Sequence, residues 1–321
     1  MARFRTRSAL FGMAAVLVAG AVVPAQVAGA RPAAAADRQW AALGDSYTAG
    51  VVKAAGEVFE YPRDGCERTD RSYPQVIDRD LGSLLDLTNV SCGGATVENV
   101  TDVPQEPTGR NSPPFQTDPE YPFPPVPPQS AAVGPDTDVI TVGVGGNTAG
   151  FGQMLSECPP LGLLTLGLGT PCKAALAANL PAQLEKTRQD YDQMLTVLRE
   201  RAPGAKILAV GYPTVVPEDV SKCRYGDPTQ FGTITRGDLD WLRRNLLDPL
   251  NEIIETSAAA HGAAGYVDLA DSSRDHSVCD ADKWVEGFVT RSGRQTNVHP
   301  NVLGHRNAAD HVEAAILNAL T

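Results

Sequence analysis

The stretch Trp40-Ala41-Ala42-Leu43-Gly44-Asp45-Ser46-Tyr47-Thr48-Ala49-Gly50 decides how this 321-residue chain is read. Its first four residues are a short apolar run of the kind a buried strand uses, and Gly44-Asp45-Ser46 then supplies a turn. A serine delivered there lies at the carboxyl end of a parallel sheet, where open α/β folds bind ligands, with its backbone N–H near the start of the next helix. Ser46 is therefore a candidate nucleophile. Glycine and serine after a strand also serve any turn, so the rest of the chain has to supply a base, oxyanion donors and a matching order of elements.

Outward from this stretch, strand-like and helix-like segments alternate, which points to βα units around a parallel sheet. Further strands are expected at Leu84 to Val90, Asp138 to Val144, Lys206 to Tyr212 and Gly265 to Leu269. Leu184, Tyr191, Leu195 and Leu198 give Leu180 to Arg201 a helical apolar face, ended by Pro203-Gly204. Arg236 to His261 reads as a helix kinked or broken at Pro249, and Pro300 to Leu320 as a closing helix with Pro300 in its first turn. The glycine-rich stretches Gly93-Gly94 and Gly145-Gly146-Asn147 each follow a strand.

Arg3, Arg5 and Arg7 precede an uncharged stretch from Ser8 to Val23, and Ala28-Gly29-Ala30 offers a cleavage site. Residues 1–30 thus read as a secretory signal peptide, with cleavage as late as residue 36 as the alternative. The apolar run is shorter than the ~20 residues of a spanning helix, so no stable membrane insertion is expected and the mature chain is placed outside the cell. Setting the leader aside removes three arginines and no acid, which makes the net charge of −11 still more negative. An acidic surface argues against nucleic acid as a partner. Residues 37–321 are expected to form a single domain, as a monomer.

All six cysteines, Cys66, Cys92, Cys158, Cys172, Cys223 and Cys279, lie beyond the leader. An even count in an exported chain favours three disulfides over metal ligands, and no pair has zinc-knuckle spacing, so no metal is expected. Six cysteines allow 15 pairings, of which the consecutive one is simplest. Two segments break the βα pattern. Residues 103–128 hold ten prolines and are expected to be a surface loop. Pro159 to Pro171 carries five leucines among glycines between Cys158 and Cys172, and reads as an apolar loop that either lines an acyl pocket or packs on the core.

Five histidines could supply the base. His261 reads as a helix cap, His276 lies in a charged loop, and His305 and His311 fall in the last helix. His299 stands apart, just before Pro300 and after the last strand. Gly44-Asp45-Ser46, Gly94 in Cys92-Gly93-Gly94-Ala95-Thr96, Asn147 in Gly145-Gly146-Asn147, and His299 in His299-Pro300-Asn301 with Gly304-His305 occur in the order of the four blocks of the SGNH (GDSL-type) hydrolases. The chain resembles in particular that family's secreted actinobacterial lipases and esterases, over essentially its whole mature length.

The resemblance implies a three-layer α/β/α, flavodoxin-like sandwich with a central parallel sheet, and a cofactor-free serine ester hydrolase. Ser46 would be the nucleophile and His299 the base, with the Ser46 and Gly94 N–H groups and the Asn147 amide as the oxyanion hole. It also implies the pairs Cys66–Cys92, Cys158–Cys172 and Cys223–Cys279. Two positions depart from the family. Thr148 stands where members often have Asp, with local hydrogen bonding expected to change. Thr296 stands where many carry an Asp three residues before the histidine. Either a backbone carbonyl near Asn297 orients His299, the favoured reading, or Asp268, Asp271 or Asp282 does. The substrate expected is a lipid or fatty-acyl ester. The alternatives are a carbohydrate or small-ester deacetylase, and a non-catalytic secreted binding protein on the same fold.

Overall fold

Strands with apolar residues at successive positions must be covered on both faces, and the described residues contain three of them. A computed structural model describes residues 38–52, 63–110 and 117–321; the proposed leader and positions 111–116 of the proline-rich segment lie outside the described residues. In chain order the elements begin with β1 (Arg38–Gly44), α1 (Ser46–Ala49), α2 (Tyr73–Leu81), β2 (Leu85–Asn89) and α3 (Val97–Thr101). Next come β3 (Val139–Gly143), α4 (Phe151–Leu164), α5 (Pro171–Leu176), α6 (Leu180–Arg201) and β4 (Lys206–Val210). The chain ends with α7 (Arg236–Leu242), α8 (Asp248–Ala260), β5 (Gly265–Val267), α9 (Leu269–Ser272) and α10 (Val302–Leu320).

The strands pair in parallel in the order β2-β1-β3-β4-β5, the flavodoxin-like order. Along β1, Trp40 and Ala42 face a core built with Tyr73, Val76 and Ile77 of α2 and Ala308, Ala309, Val312 and Ile316 of α10. Ala41 and Leu43 face the opposite core, built with Tyr191, Leu195 and Leu198 of α6 and Leu250 and Ile254 of α8. The result is the expected three-layer sandwich. The strand order reverses between β1 and β3, whose ends meet with Gly44 opposite Gly143. A side chain at Gly44 would put its Cβ 2.5 Å from the Gly143 carbonyl oxygen, so only glycine lets the two strand ends close up there. That crevice is where a doubly wound sheet places a ligand.

The kink or break expected at Pro249 takes the form of a π turn at Arg243–Leu247, two residues before the proline, with Leu247 and Asp248 keeping helical dihedrals so that the backbone runs on into α8. Two local expectations need correction. Pro300 lies outside α10; Asn301 caps the helix, its side chain accepting from the N–H groups of Leu303 and Gly304. Pro159 and Pro160, read as loop, are inside α4. Tertiary donors satisfy this helix's end, with Thr233 Oγ1 donating to the Pro159 carbonyl at 2.6 Å and Tyr225 OH to the Gly162 carbonyl at 3.1 Å. The cysteines are joined as Cys66–Cys92, Cys158–Cys172 and Cys223–Cys279.

Candidate active site

Four loops converge at the crevice, each carrying one of the singled-out residues. Ser46 opens α1 directly after β1, with Asp45 as its cap; the Asp45 carboxylate accepts from the Tyr47 N–H at 2.9 Å. Its Oγ lies 2.7 Å from His299 Nε2. His299 Nδ1 lies 3.0 Å from the Thr296 carbonyl oxygen and 2.9 Å from that of Asn297. Carbonyls only accept, so Nδ1 must carry the ring proton, and Nε2 is left with a lone pair facing the serine hydroxyl. Burial holds the His299 imidazole below its ordinary 6.5, against the opposing effect of these two carbonyls.

The carboxylates weighed as partners of His299 are otherwise engaged. Asp268 accepts from the Asp271 N–H at the start of α9, Asp271 pairs with Arg274, and Asp282 lies 3.6 Å from His276. Thr296 turns its hydroxyl to the Gly287 carbonyl at 2.7 Å. His261 ends α8, His276 stacks on Trp284, and His305 is buried in α10.

Gly94 and Asn147 face the same groove as Ser46 and His299. Gly94 has φ of +78°, a left-handed conformation that glycine adopts without strain. Its neighbour Gly93 spends its N–H on the Cys66 carbonyl at 2.9 Å, while the N–H groups of Gly94 and Ser46 have no partner among the described residues. The Cys66–Cys92 bridge thus anchors the turn that presents Gly94. One N–H of the Asn147 amide is fixed on the Ala95 carbonyl at 2.9 Å, which aims the side chain and leaves its second N–H to donate. Thr148 Oγ1 accepts from the Val97 N–H at 2.9 Å, tying the β3 turn to the first residue of α3.

A buried network missed by the sequence reading joins these loops from below. Asp45, 1% exposed, receives the Tyr212 hydroxyl in a short hydrogen bond, and that same hydroxyl accepts the Gly146 N–H at 2.7 Å. Burial pushes the Asp45 carboxyl up to about 6, with the Tyr212 hydroxyl as the largest opposing influence. Burial and the neighbouring Asp45 push Tyr212 well above the ordinary tyrosine value, so it stays a donor. Tyr47 OH donates to the Val298 carbonyl at 2.6 Å. Asn297 and Val298 have φ of +48° and +62°, so the segment before His299 is strained and needs such a tether. The spacing of Tyr47 one residue after the serine was visible, but nothing in the sequence paired it with residue 298.

The groove is walled by Val51, Val52, Glu67, Arg110, Arg294 and Gln295. No residue of 159–171 lines it, so the apolar segment is not the wall of the Ser46 groove.

The GDSL-like lipase/acylhydrolase family matches residues 42–306, a span that takes in all four loops. The chain belongs to this family. "Lipase 2" of Streptomyces coelicolor is 32% identical over 279 residues, 85% of this chain and 83% of that protein. "Esterase" of Streptomyces scabiei is 31% identical over 333 residues, 92% of this chain and 90% of its own. Among solved structures, an extracellular lipase from Streptomyces rimosus superposes with a TM-score of 0.62 at 20% identity, covering 88% of this chain and 99% of that one. That likeness speaks to the fold. As a GDSL-like hydrolase of the lipase/esterase type, the chain is a carboxylic ester hydrolase.

Proposed function

We propose that this hydrolase is a secreted serine esterase that cleaves fatty-acyl esters through a Ser46–His299 dyad and an acyl-enzyme. The observation that carries the reading is the 2.7 Å approach of Ser46 Oγ to His299 Nε2, with Nδ1 held by two backbone carbonyls. Ser46 Oγ attacks the ester carbonyl carbon while His299 Nε2 takes the hydroxyl proton. The oxyanion accepts from the Ser46 and Gly94 N–H groups and the Asn147 amide. Collapse expels the alcohol, which takes the proton from His299. Water, deprotonated by the same nitrogen, then releases the acid and restores Ser46. The carbonyls of Thr296 and Asn297 stabilise the transient imidazolium in the role that an aspartate has elsewhere.

Secretion is supported by the leader-like residues 1–30 and by three disulfides, which persist in oxidising compartments. The described residues contain no helix long and apolar enough to cross a membrane. A second reading, deacetylation of carbohydrate or other small esters, is favoured by the polar groove walls at Glu67, Arg110, Arg294 and Gln295. A fluorophosphonate probe is expected to label the protein and to fail on Ser46→Ala; no labelling of the intact chain would favour a non-catalytic binder. Turnover across acyl chain lengths separates the two ester readings, and activity confined to acetyl esters would sink the fatty-acyl one.

A further inference from the structure

We propose that the leucine-bearing turn at the end of α4 is a docking surface for a phospholipid layer, seating the carboxyl end of the sheet at the lipid–water boundary. This rests on the fatty-acyl ester reading above. Leu163, Leu164, Leu166 and Leu168 are 57%, 82%, 78% and 74% exposed, the most exposed large apolar side chains among the described residues. No charged residue occurs between Glu157 and Lys173, in a chain with 38 acidic residues. Soluble monomers seldom leave such a contiguous patch in water without a use for it.

The leucines are held outward rather than left loose. The Cys158–Cys172 bridge closes the segment at its base, Tyr225 OH donates to the Gly162 carbonyl, and Thr235 Oγ1 donates to the Gly169 carbonyl at 2.9 Å. Beside Leu168, a depression is lined by Arg224, Tyr225 and Arg236. Arg224 is exposed and shares its charge with Asp227, while Arg236 is exposed, donates from its Nε to the Cys223 carbonyl and acts electrostatically on Asp219. Apolar tips flanked by a tyrosine and two guanidinium groups match the layering of a phospholipid surface, with acyl chains beneath phosphates.

A protein partner fits less well. Four leucine side chains fall short of the roughly 800 Å² per partner of a standard interface. Topology adds the functional link. The connections β3 to α6 and β4 to α7, which carry the leucines and the arginines, leave the parallel sheet at the same end as Ser46 leaves β1.

The test is co-sedimentation of the Ser46→Ala protein with phosphatidylcholine vesicles, so that binding is read without hydrolysis. Adding Leu164→Ser and Leu166→Ser is expected to weaken binding about 100-fold, about tenfold per leucine, and Arg224→Gln by severalfold. In the active protein, the two leucine changes are expected to lower turnover of vesicle substrate while sparing a water-soluble ester and the thermal midpoint. Failure of the Ser46→Ala protein to sediment, undiminished sedimentation of the leucine variant, or a concentration-dependent dimer abolished by the leucine changes would overturn the proposal. A chain that binds vesicles yet hydrolyses only acetyl esters would sink the fatty-acyl reading and leave the docking surface standing.

Discussion

At the scale of single residues, the site depends on how His299 is kept neutral and aimed. Only the neutral imidazole can accept the Ser46 proton, and burial lowers its pKa from 6.5. The acidic limb of a kcat/KM profile is therefore expected below pH 6.5, and a limb above that value would contradict the burial argument. Tyr47→Phe keeps the ring beside His299 but removes the tether to Val298. A lost hydrogen bond of this kind is worth about 1 kcal/mol, so kcat is expected to fall roughly five- to tenfold with KM nearly constant. Loosening the His299 loop also admits water, so the acidic limb should move up towards 6.5; a purely structural role would leave it in place. Asn147→Ala is expected to cost about 10²–10³ in kcat. Asp268→Asn, Asp271→Asn and Asp282→Asn should each leave kcat within a few-fold, whereas His299→Ala removes most of it. Ser46, Gly94, Asn147 and His299 were readable because each lies in a short stretch with a fixed order along the chain. Tyr47, Asp45 and Tyr212 were not, since their roles come from partners 251 and 167 positions away.

At the scale of elements, the cap of α10 links stability to the site. Asn301 accepts from the N–H groups of Leu303 and Gly304, and its amide donates to the Lys283 carbonyl and to Glu286. Asn301→Ala is expected to destabilise the fold by about 1 kcal/mol or somewhat more, readable as a shift in denaturant midpoint at constant m-value. No change would mean that the cap is redundant. The same element shows why the boundary was misread from sequence. Pro300 suits a first helical turn by its fixed φ, yet it sits in an antiparallel bridge opposite Val285, with the His299 carbonyl accepting from the Glu286 N–H at 2.9 Å and the Asn301 N–H donating to the Trp284 carbonyl at 2.8 Å. Likewise, α4 runs through Pro159-Pro160 because a disulfide and donors from residues 225 and 233 hold its end. Local propensity is a weak prior beside such tertiary contacts.

At the scale of the whole molecule, acid stability has an identifiable source in His305. It is 3% exposed, its Nε2 has no partner among the described residues, and burial pushes it down to about 4. The unfolded chain therefore binds a proton at this site that the folded one refuses between about pH 6.5 and 4, and His305's contribution to stability is lost as pH falls through that window, against the opposite contribution of Asp45, whose raised carboxyl takes up a proton in the folded chain below about 6. His305→Phe, which fits an apolar site without titrating, is expected to flatten the loss; an unchanged pH slope would place its origin elsewhere. The sequence by itself determined the α/β class, the strand set and the four residues at the crevice. The strands were legible because buried strands need apolar runs on both faces, and the four residues because they stand in the order of the blocks of the family that the chain resembles. Only the tertiary structure decided which carbonyls hold His299, which hydroxyls brace the loops, and that the leucine segment faces outward away from the Ser46 groove. Those outcomes depend on pairings across the sheet's carboxyl end, and no local pattern encodes which distant backbone group a side chain will meet.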